Sequence, residues 1–569
     1  MTSLARRGFY SGVRLISRPP AGGVFLGLLF FALSLTPSLI PRHFALQGIL
    51  SGCVFAAGYG IGVFLQWLWT FLELKLPSRR LDHRAQLLLV TLGVVIAVTF
   101  LWLSTGWQNS TRAVMNMPPV ESSQPVWVVA IAVLPAAILI AMGTLIVRGV
   151  RMVSGWLRRL IPPRVALVGG IIIVTLFTNM LVNGVILRWA LAAADNFYAD
   201  LDTLAGGYEE QPTDPLRSGS AASLIGWNTI GLDARVYVQS GPTVAEIEAI
   251  TGRPAIEPLR VYVGLRSAET VEERAQLALA EMLRVGAFDR SILVLIMPVG
   301  TGWVQPPAID TLEFLHGGDV ASVALQYSYL TSWLSLVSEP DVGVAAATAL
   351  FNTVYDYWTQ LPEDARPRLY LHGLSLGAYS SQASLSVFDI LSDPIDGAFW
   401  VGPPFSSSIW RSLTGSRNPG SPQWLPRVGD GSVIRYANQY EGLERTDQNW
   451  GALRILYLQY ASDPVVFFDP TILYRRPDWL SGPRAPDVPP GLNWYPVVTF
   501  FQIALDMALA QTSPVGYGHV YAPQHYLDGW ILLTDPEGWS DEELGTLRTR
   551  LSRDGTYRDI VGGWFREED

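Results

Sequence analysis

The chain has 569 residues, of which 49% are hydrophobic and only 16% charged, and its formal net charge is −9. It is long enough for a large domain plus a second region. An acidic balance with no basic stripe argues against nucleic-acid binding, and a single cysteine, Cys53, excludes an intrachain disulfide and a Cys-based metal site.

The charge is unevenly spread. Residues 1–192 hold 16 Lys+Arg against three acids (Glu73, Asp82, Glu121), a formal +13, which leaves −22 for the rest. Five apolar runs, at 22–40, 46–72, 86–106, 125–147 and 165–187, each approach the ~20 residues that cross a bilayer. They predict a five-helix transmembrane region over 1–192. Further spans after the first argue against a cleaved signal peptide.

Basic residues alternate between the loops. Arg6, Arg7, Arg14 and Arg18 precede the first run, and Arg42 follows it. Then come Lys75, Arg79, Arg80 and Arg84, next Arg112 alone, and finally Arg148, Arg151, Arg158, Arg159 and Arg164. The positive-inside rule places the rich loops in the cytoplasm. The expectation is a multi-pass protein of the cytoplasmic membrane with a cytoplasmic N-terminus and an extracytoplasmic C-terminal domain. The runs are almost free of charge, which argues against an ion pathway. Asn179 and Asn183, four apart, read as a helix–helix contact. The region reads as an anchor that also presents lipid.

Residues 193–225 are polar and Gly-rich and read as a linker. From 226 to 569, strands are expected at 235–239, 259–265, 291–298, 320–329, 368–372, 397–401 and 454–459. Helices are expected at 243–250, 268–285, 340–360, 376–391 and 497–511. Apolar strands separated by helices predict a mostly parallel sheet flanked by helices. The stretches 402–450 and 470–496, rich in Pro, Gly, Trp and Arg, read as insertions that form a lid or pocket.

One motif carries chemistry. Leu369-Tyr370-Leu371-His372 runs into Gly373-Leu374-Ser375-Leu376-Gly377-Ala378, a strand, a Gly-x-Ser-x-Gly turn and a helix start. This is the pattern of a nucleophile elbow, whose turn is too tight for side chains at the flanking glycines. It presents the Ser375 hydroxyl at a helix N-terminus, where the Leu376 N–H faces a developing oxyanion. The five-letter pattern alone is weak, and the strand and helix around it give it weight.

Such elbows are followed along the chain by an acid and then a histidine. Asp463 ends the strand-like run Ile455-Leu456-Tyr457-Leu458-Gln459-Tyr460-Ala461-Ser462-Asp463-Pro464, at a strand's C-terminal edge where such sheets assemble sites. Asp447 and Asp469 are alternatives. Of six histidines, His519 and His525 follow the acid. His519 sits in a glycine-flanked loop, Gly516-Tyr517-Gly518-His519, and is the favoured base. His525 begins what reads as the final helix. His372, in the elbow strand, reads as packed. Met297-Pro298-Val299-Gly300-Thr301-Gly302-Trp303 follows an earlier strand, and an N–H near Gly300 or Thr301 is expected as the second oxyanion donor. No phosphate loop, dinucleotide fingerprint or metal-ligand spacing is present, so no cofactor and no metal are expected.

Several runs resemble a known family: Ser34-Leu35-Thr36-Pro37-Ser38-Leu39, Val261-Tyr262-Val263-Gly264-Leu265-Arg266-Ser267-Ala268, Gly300-Thr301-Gly302-Trp303, Gln326-Tyr327-Ser328-Tyr329-Leu330, the elbow, Ser462-Asp463-Pro464 and Gly518-His519-Val520-Tyr521. Together the chain resembles the actinobacterial membrane-anchored α/β-hydrolase family, with an N-terminal multi-span region and a C-terminal serine-hydrolase domain. The resemblance implies an α/β-hydrolase domain over 226–569 with Ser375, Asp463 and His519 as its triad, and no fixed substrate. The expected function is an esterase or lipase acting on acyl esters of envelope lipids. An acyltransferase using the same triad and a non-catalytic hydrolase-fold scaffold are the alternatives. The expected partners are a lipid or acyl-ester substrate and the membrane. Oligomeric state is not legible.

Overall fold

A computed structural model describes residues 20–74, 79–189, 191, 193, 195, 197–198, 210–338, 340–385, 392–444 and 450–553. Arg6, Arg7, Arg14, Arg18 and Lys75 of the charge series lie outside the described residues, as do Asp447 and residues 386–391 of one expected helix. The chain divides into two units. One comprises Met1–Arg188 with Phe468–Leu509, the other Trp189–Phe467 with Ala510–Asp569.

The first unit is helical: α1 (Ala21–Ser34), α2 (Phe44–Phe71), α3 (Arg79–Val114), α4 (Pro125–Leu157) and α5 (Pro163–Leu181). Among the described residues four helices, not five, are long and apolar enough to cross a membrane, and they are α2 to α5. The exception is α1, with 14 residues, about 21 Å at 1.5 Å per residue against a ~30 Å hydrocarbon core. The apolar run continues to Ile40, but the helix does not. Ser34 Oγ bonds back to Phe31 O and Thr36 Oγ1 to Leu33 O, and Pro37 then removes a donor and restrains residue 36.

Small residues let these helices approach closely. A Cβ on Gly62 of α2 would lie 2.6 Å from Gly23 Cα of α1, so that crossing needs glycine. Leu88, Trp102, Val126, Leu134, Leu145 and Leu176 are exposed on α3 to α5, the pattern of faces that meet lipid rather than water. Asn183 Nδ2 donates to Asn179 Oδ1 at 3.1 Å. This bond runs along a single helix, whereas the expectation was a contact between helices.

A buried polar seam closes this unit. The Arg42 guanidinium meets Asp506 Oδ1 at 2.7 Å, with both side chains at most 1% exposed. Asp506 Oδ2 accepts the Leu39 N–H at 3.0 Å and the Ser38 hydroxyl. Gln502 Nε2 donates to the carbonyls of Ser34 and Thr36. Asp506 and Gln502 belong to the helix Val498–Ala508. The stretch 470–496, expected as a lid or pocket insertion, clusters with the first unit.

The second unit is built on a sheet of seven parallel strands in the order β1-β3-β2-β4-β5-β7-β6. They are β1 (Leu259–Val263), β2 (Ile292–Met297), β3 (Val320–Leu325), β4 (Arg368–Leu374), β5 (Gly397–Val401), β6 (Ile434–Ala437) and β7 (Arg454–Leu458). Every residue of β1, β2, β3 and β5 is buried, as covered parallel sheets require. The central strand is β4.

Two expectations are corrected here. Residues 235–239 belong to a helix, Leu232–Gln239, because their short apolar run carries no strand-defining alternation. Strand β6 was hidden in the supposed insertion 402–450, since its four residues show too little pattern. Residues 210–225 are packed: Ser218 Oγ accepts the Tyr262 N–H at 3.1 Å, and Ser223 Oγ bonds Glu281.

Candidate active site

Ser375 follows β4 directly and starts the helix Leu376–Ser384. Its backbone has φ 55° and ψ −122°, a conformation that costs an L-residue energy and recurs at strained functional turns. Sterics explain the flanking glycines. A Cβ at Gly373 would lie 2.4 Å from Gly377 C, and one at Gly377 only 2.1 Å from Met297 O. The Ser375 N–H donates to Val401 O at 2.9 Å, so the turn is tied to the end of β5. The Leu376 N–H lies in the first helical turn, where no intrahelical carbonyl faces it.

Asp463 lies beyond β7 and is fully buried. Its Oδ1 accepts the Val465 N–H at 2.9 Å, and its Oδ2 accepts His519 Nδ1 at 2.6 Å. The loop carrying His519 is shaped by Gly516 (φ 93°) and Gly518 (φ 56°). It is clamped by Gly516 N–H to Val520 O and by Gly518 N–H to Ser462 Oγ at 3.0 Å. The residue before the acid therefore holds the loop that carries the histidine.

Ser375 and His519 converge on the end of β5. A Cβ on Gly402, the residue after β5, would lie 2.9 Å from His519 Cε1, while Val401 accepts from Ser375. Ser375 and His519 are each 7% exposed. Among the described residues the hydrogen-bonded pair is His519–Asp463. Ser375 and the pair meet at the same strand end, with no hydrogen bond from Ser375 to the ring among the described residues, and such bonds often tighten only with substrate present.

The other histidines of this unit are engaged elsewhere. His525 Nδ1 meets the Tyr460 hydroxyl at 2.5 Å, His316 Nε2 meets Thr534 Oγ1 at 2.9 Å, and His372 Nδ1 meets Phe399 O at 2.9 Å. Burial lowers all three to about 4, so each is neutral near pH 7. His525 opens the helix Pro523–Thr534, which is not the last, because Asp541–Arg553 follows. Asp469, the alternative acid, caps its own turn by accepting the Thr471 N–H at 2.7 Å, and it belongs to the first unit.

The turn after β2 holds Gly300 and Thr301. Met297 pairs with Gly373 in register, which sets this turn beside the elbow. Three side chains brace it. Tyr262 donates to Gly302 O at 2.6 Å, Gln326 Nε2 to Thr301 O at 3.1 Å, and Thr301 Oγ1 to Asp233 at 2.6 Å. Sequence reading missed the bracing roles of Tyr262, Gln326 and Asp233, although the first two lie in family-like runs. Among the described residues no three His, Cys, Asp or Glu side chains group as metal ligands.

A parallel sheet with a strained serine after its central strand, and a bonded Asp–His pair beyond later strands, defines an α/β-hydrolase-fold protein. The chain belongs to the alpha/beta-hydrolase family. The family's model matches residues 259–547, and the model of the family's N-terminal region matches residues 35–242. No curated protein and no solved structure matches the chain.

Proposed function

We propose that this protein is a membrane-held serine hydrolase that cleaves acyl esters of envelope lipids through an acyl-enzyme. The carrying observation is the 2.6 Å His519–Asp463 bond beside the strand end that ties down Ser375. His519 takes the proton from Ser375 Oγ as it attacks the ester carbonyl. Asp463 fixes the imidazole tautomer and stabilises the imidazolium. The Leu376 N–H, with an N–H of the Gly300–Thr301 turn, receives the oxyanion, each donor being worth roughly 10²–10³ in rate. His519 then protonates the departing alkoxide. Water, deprotonated by the same ring, releases the acid and restores Ser375.

Applied to the four long helices alone, the positive-inside rule still supports an extracytoplasmic placement. With α2 to α5 crossing, Arg79, Arg80 and Arg84 mark one side, and so do Arg158, Arg159 and Arg164. The ends carrying Arg42 and Arg112 mark the other, which the chain also reaches after α5. Asp506 and Gln502, bonded to residues 34–42, fit the same side.

Helices that hold the site at a bilayer favour acyl chains of lipid length. Purified protein in detergent should show kcat/KM rising from acetyl to long-chain esters, with turnover lost in Ser375→Ala by several orders of magnitude. Equal turnover by Ser375→Ala would contradict the mechanism. A maximum at acetyl would contradict the substrate class.

A further inference from the structure

We infer that Tyr521 is a positioning residue that tunes the Asp463–His519 pair through a hydrogen bond to the shared carboxylate oxygen, an inference that rests on the function proposed above. The Tyr521 hydroxyl donates to Asp463 Oδ2 at 2.7 Å, and His519 Nδ1 reaches the same oxygen at 2.6 Å. With Val465 N–H on Oδ1, the buried carboxylate has three donors.

The phenol is held in place from several sides. Tyr521 is 2% exposed, and its ring packs on that of Tyr460 at 4.3 Å. Gly402, with φ 52°, makes the space: a Cβ there would come within 2.9 Å of both the Tyr521 hydroxyl and His519 Cε1. Burial first, and the Asp463 charge second, push the Tyr521 hydroxyl well above its ordinary value. It therefore stays a donor across the working range.

The direction of the effect follows from charge. A donor on Oδ2 draws off negative charge that would otherwise hold the imidazolium. Removing it lets the carboxylate grip protonated His519 more strongly, so the neutral, base-competent ring appears only at higher pH. The neighbouring groups do not titrate in that window. His525, bonded to the Tyr460 hydroxyl, is lowered to about 4 by burial and then by the Arg548 charge, and buried His372 is also at about 4. Tyr521 lies two residues after His519, so one loop delivers both base and tuning donor.

The test is the pH dependence of the rate at which a fluorophosphonate labels Ser375, in the full-length protein and in Tyr521→Phe. The acid limb is expected to move up by about one pH unit, read as roughly tenfold slower labelling below the limb and little change on the plateau. Tyr460→Phe, which keeps the Tyr521–Asp463 bond, serves as the packing control and should leave the limb in place. An unmoved limb in Tyr521→Phe overturns the inference, as does an equal shift in Tyr460→Phe. Both variants are checked by circular dichroism. If Tyr521→Phe does not fold, Tyr521→Leu, which fits the same space and has no hydrogen-bond donor, must show the same upward shift. Wild-type protein that resists labelling would overturn the serine-hydrolase reading itself, a result separate from an unmoved limb.

Discussion

Gly377 shows how little freedom the elbow has. Its missing Cβ would press on the carbonyl oxygen of Met297, the last residue of the strand that leads into the Gly300–Thr301 turn. Gly377→Ala should force that turn away from Leu376 and slow probe labelling by about 10²-fold or more, as loss of an oxyanion donor does. Labelling at the wild-type rate would mean that the turn takes no part. The two late histidines separate in the same way. His519→Ala should abolish turnover and leave folding intact. His525→Phe should keep activity within about tenfold, a cost of about 1.4 kcal/mol or less, and lower the melting temperature through the lost Tyr460 bond; reversed kinetic effects in folded variants would move the base to His525. The tight turn at Ser375 and the Asp463–His519 hydrogen bond were legible in the sequence because a local motif and a fixed chain order point to them; their catalytic role belongs to the proposed function. Tyr521 and Gly402 were not, since a tyrosine two residues after a histidine gains meaning only when its hydroxyl reaches an acid 58 positions away.

The helix Val498–Ala508 is the element whose placement sequence patterns conceal. It lies between the acid and the histidine along the chain, yet it folds with the N-terminal helices. Its attachment is the Arg42–Asp506 pair, buried at both ends. Burial raises Asp506, and the Arg42 charge opposes that shift. Breaking such a pair leaves one uncompensated charge, at a cost of about 3–5 kcal/mol, whereas replacing both partners with apolar side chains is far milder. Arg42→Met and Asp506→Leu should each lower the thermal midpoint of the detergent-solubilised protein, and the double variant should recover most of the loss. Additive losses would show that the two residues act separately. A long-range ion pair leaves no periodic trace, which is why sequence reading saw only a lone loop arginine and an apolar helix. The same limit explains α1: hydropathy counted 22–40 as one run, while Pro37 and the hydroxyls of Ser34 and Thr36 ended the helix at Ser34. The strands β1, β2, β4, β5 and β7 were legible because a covered parallel sheet demands unbroken apolar runs.

For the whole molecule, the proposed function sets the hydrolase-fold unit on the outer side of a membrane, and the four long apolar helices are compatible with membrane spans. A reporter fused at residue 200 should be active when it requires export and inactive when it requires the cytoplasm; the opposite pattern would reverse the topology and exclude envelope lipids of the outer leaflet as substrates. The basic loops around α2 to α5 are the sequence feature on which the proposed orientation rests, whereas the number of long apolar helices depended on where α1 stops. The central claim remains chemical, that Ser375 is a nucleophile activated by His519 and Asp463. The most direct measurement is fluorophosphonate labelling of the full-length protein in detergent, followed by peptide mapping of the adduct. The expected result is one adduct on Ser375, absent in Ser375→Ala and slowed by several orders of magnitude in His519→Ala. An adduct on another serine, or no adduct on the folded wild-type protein, would contradict it.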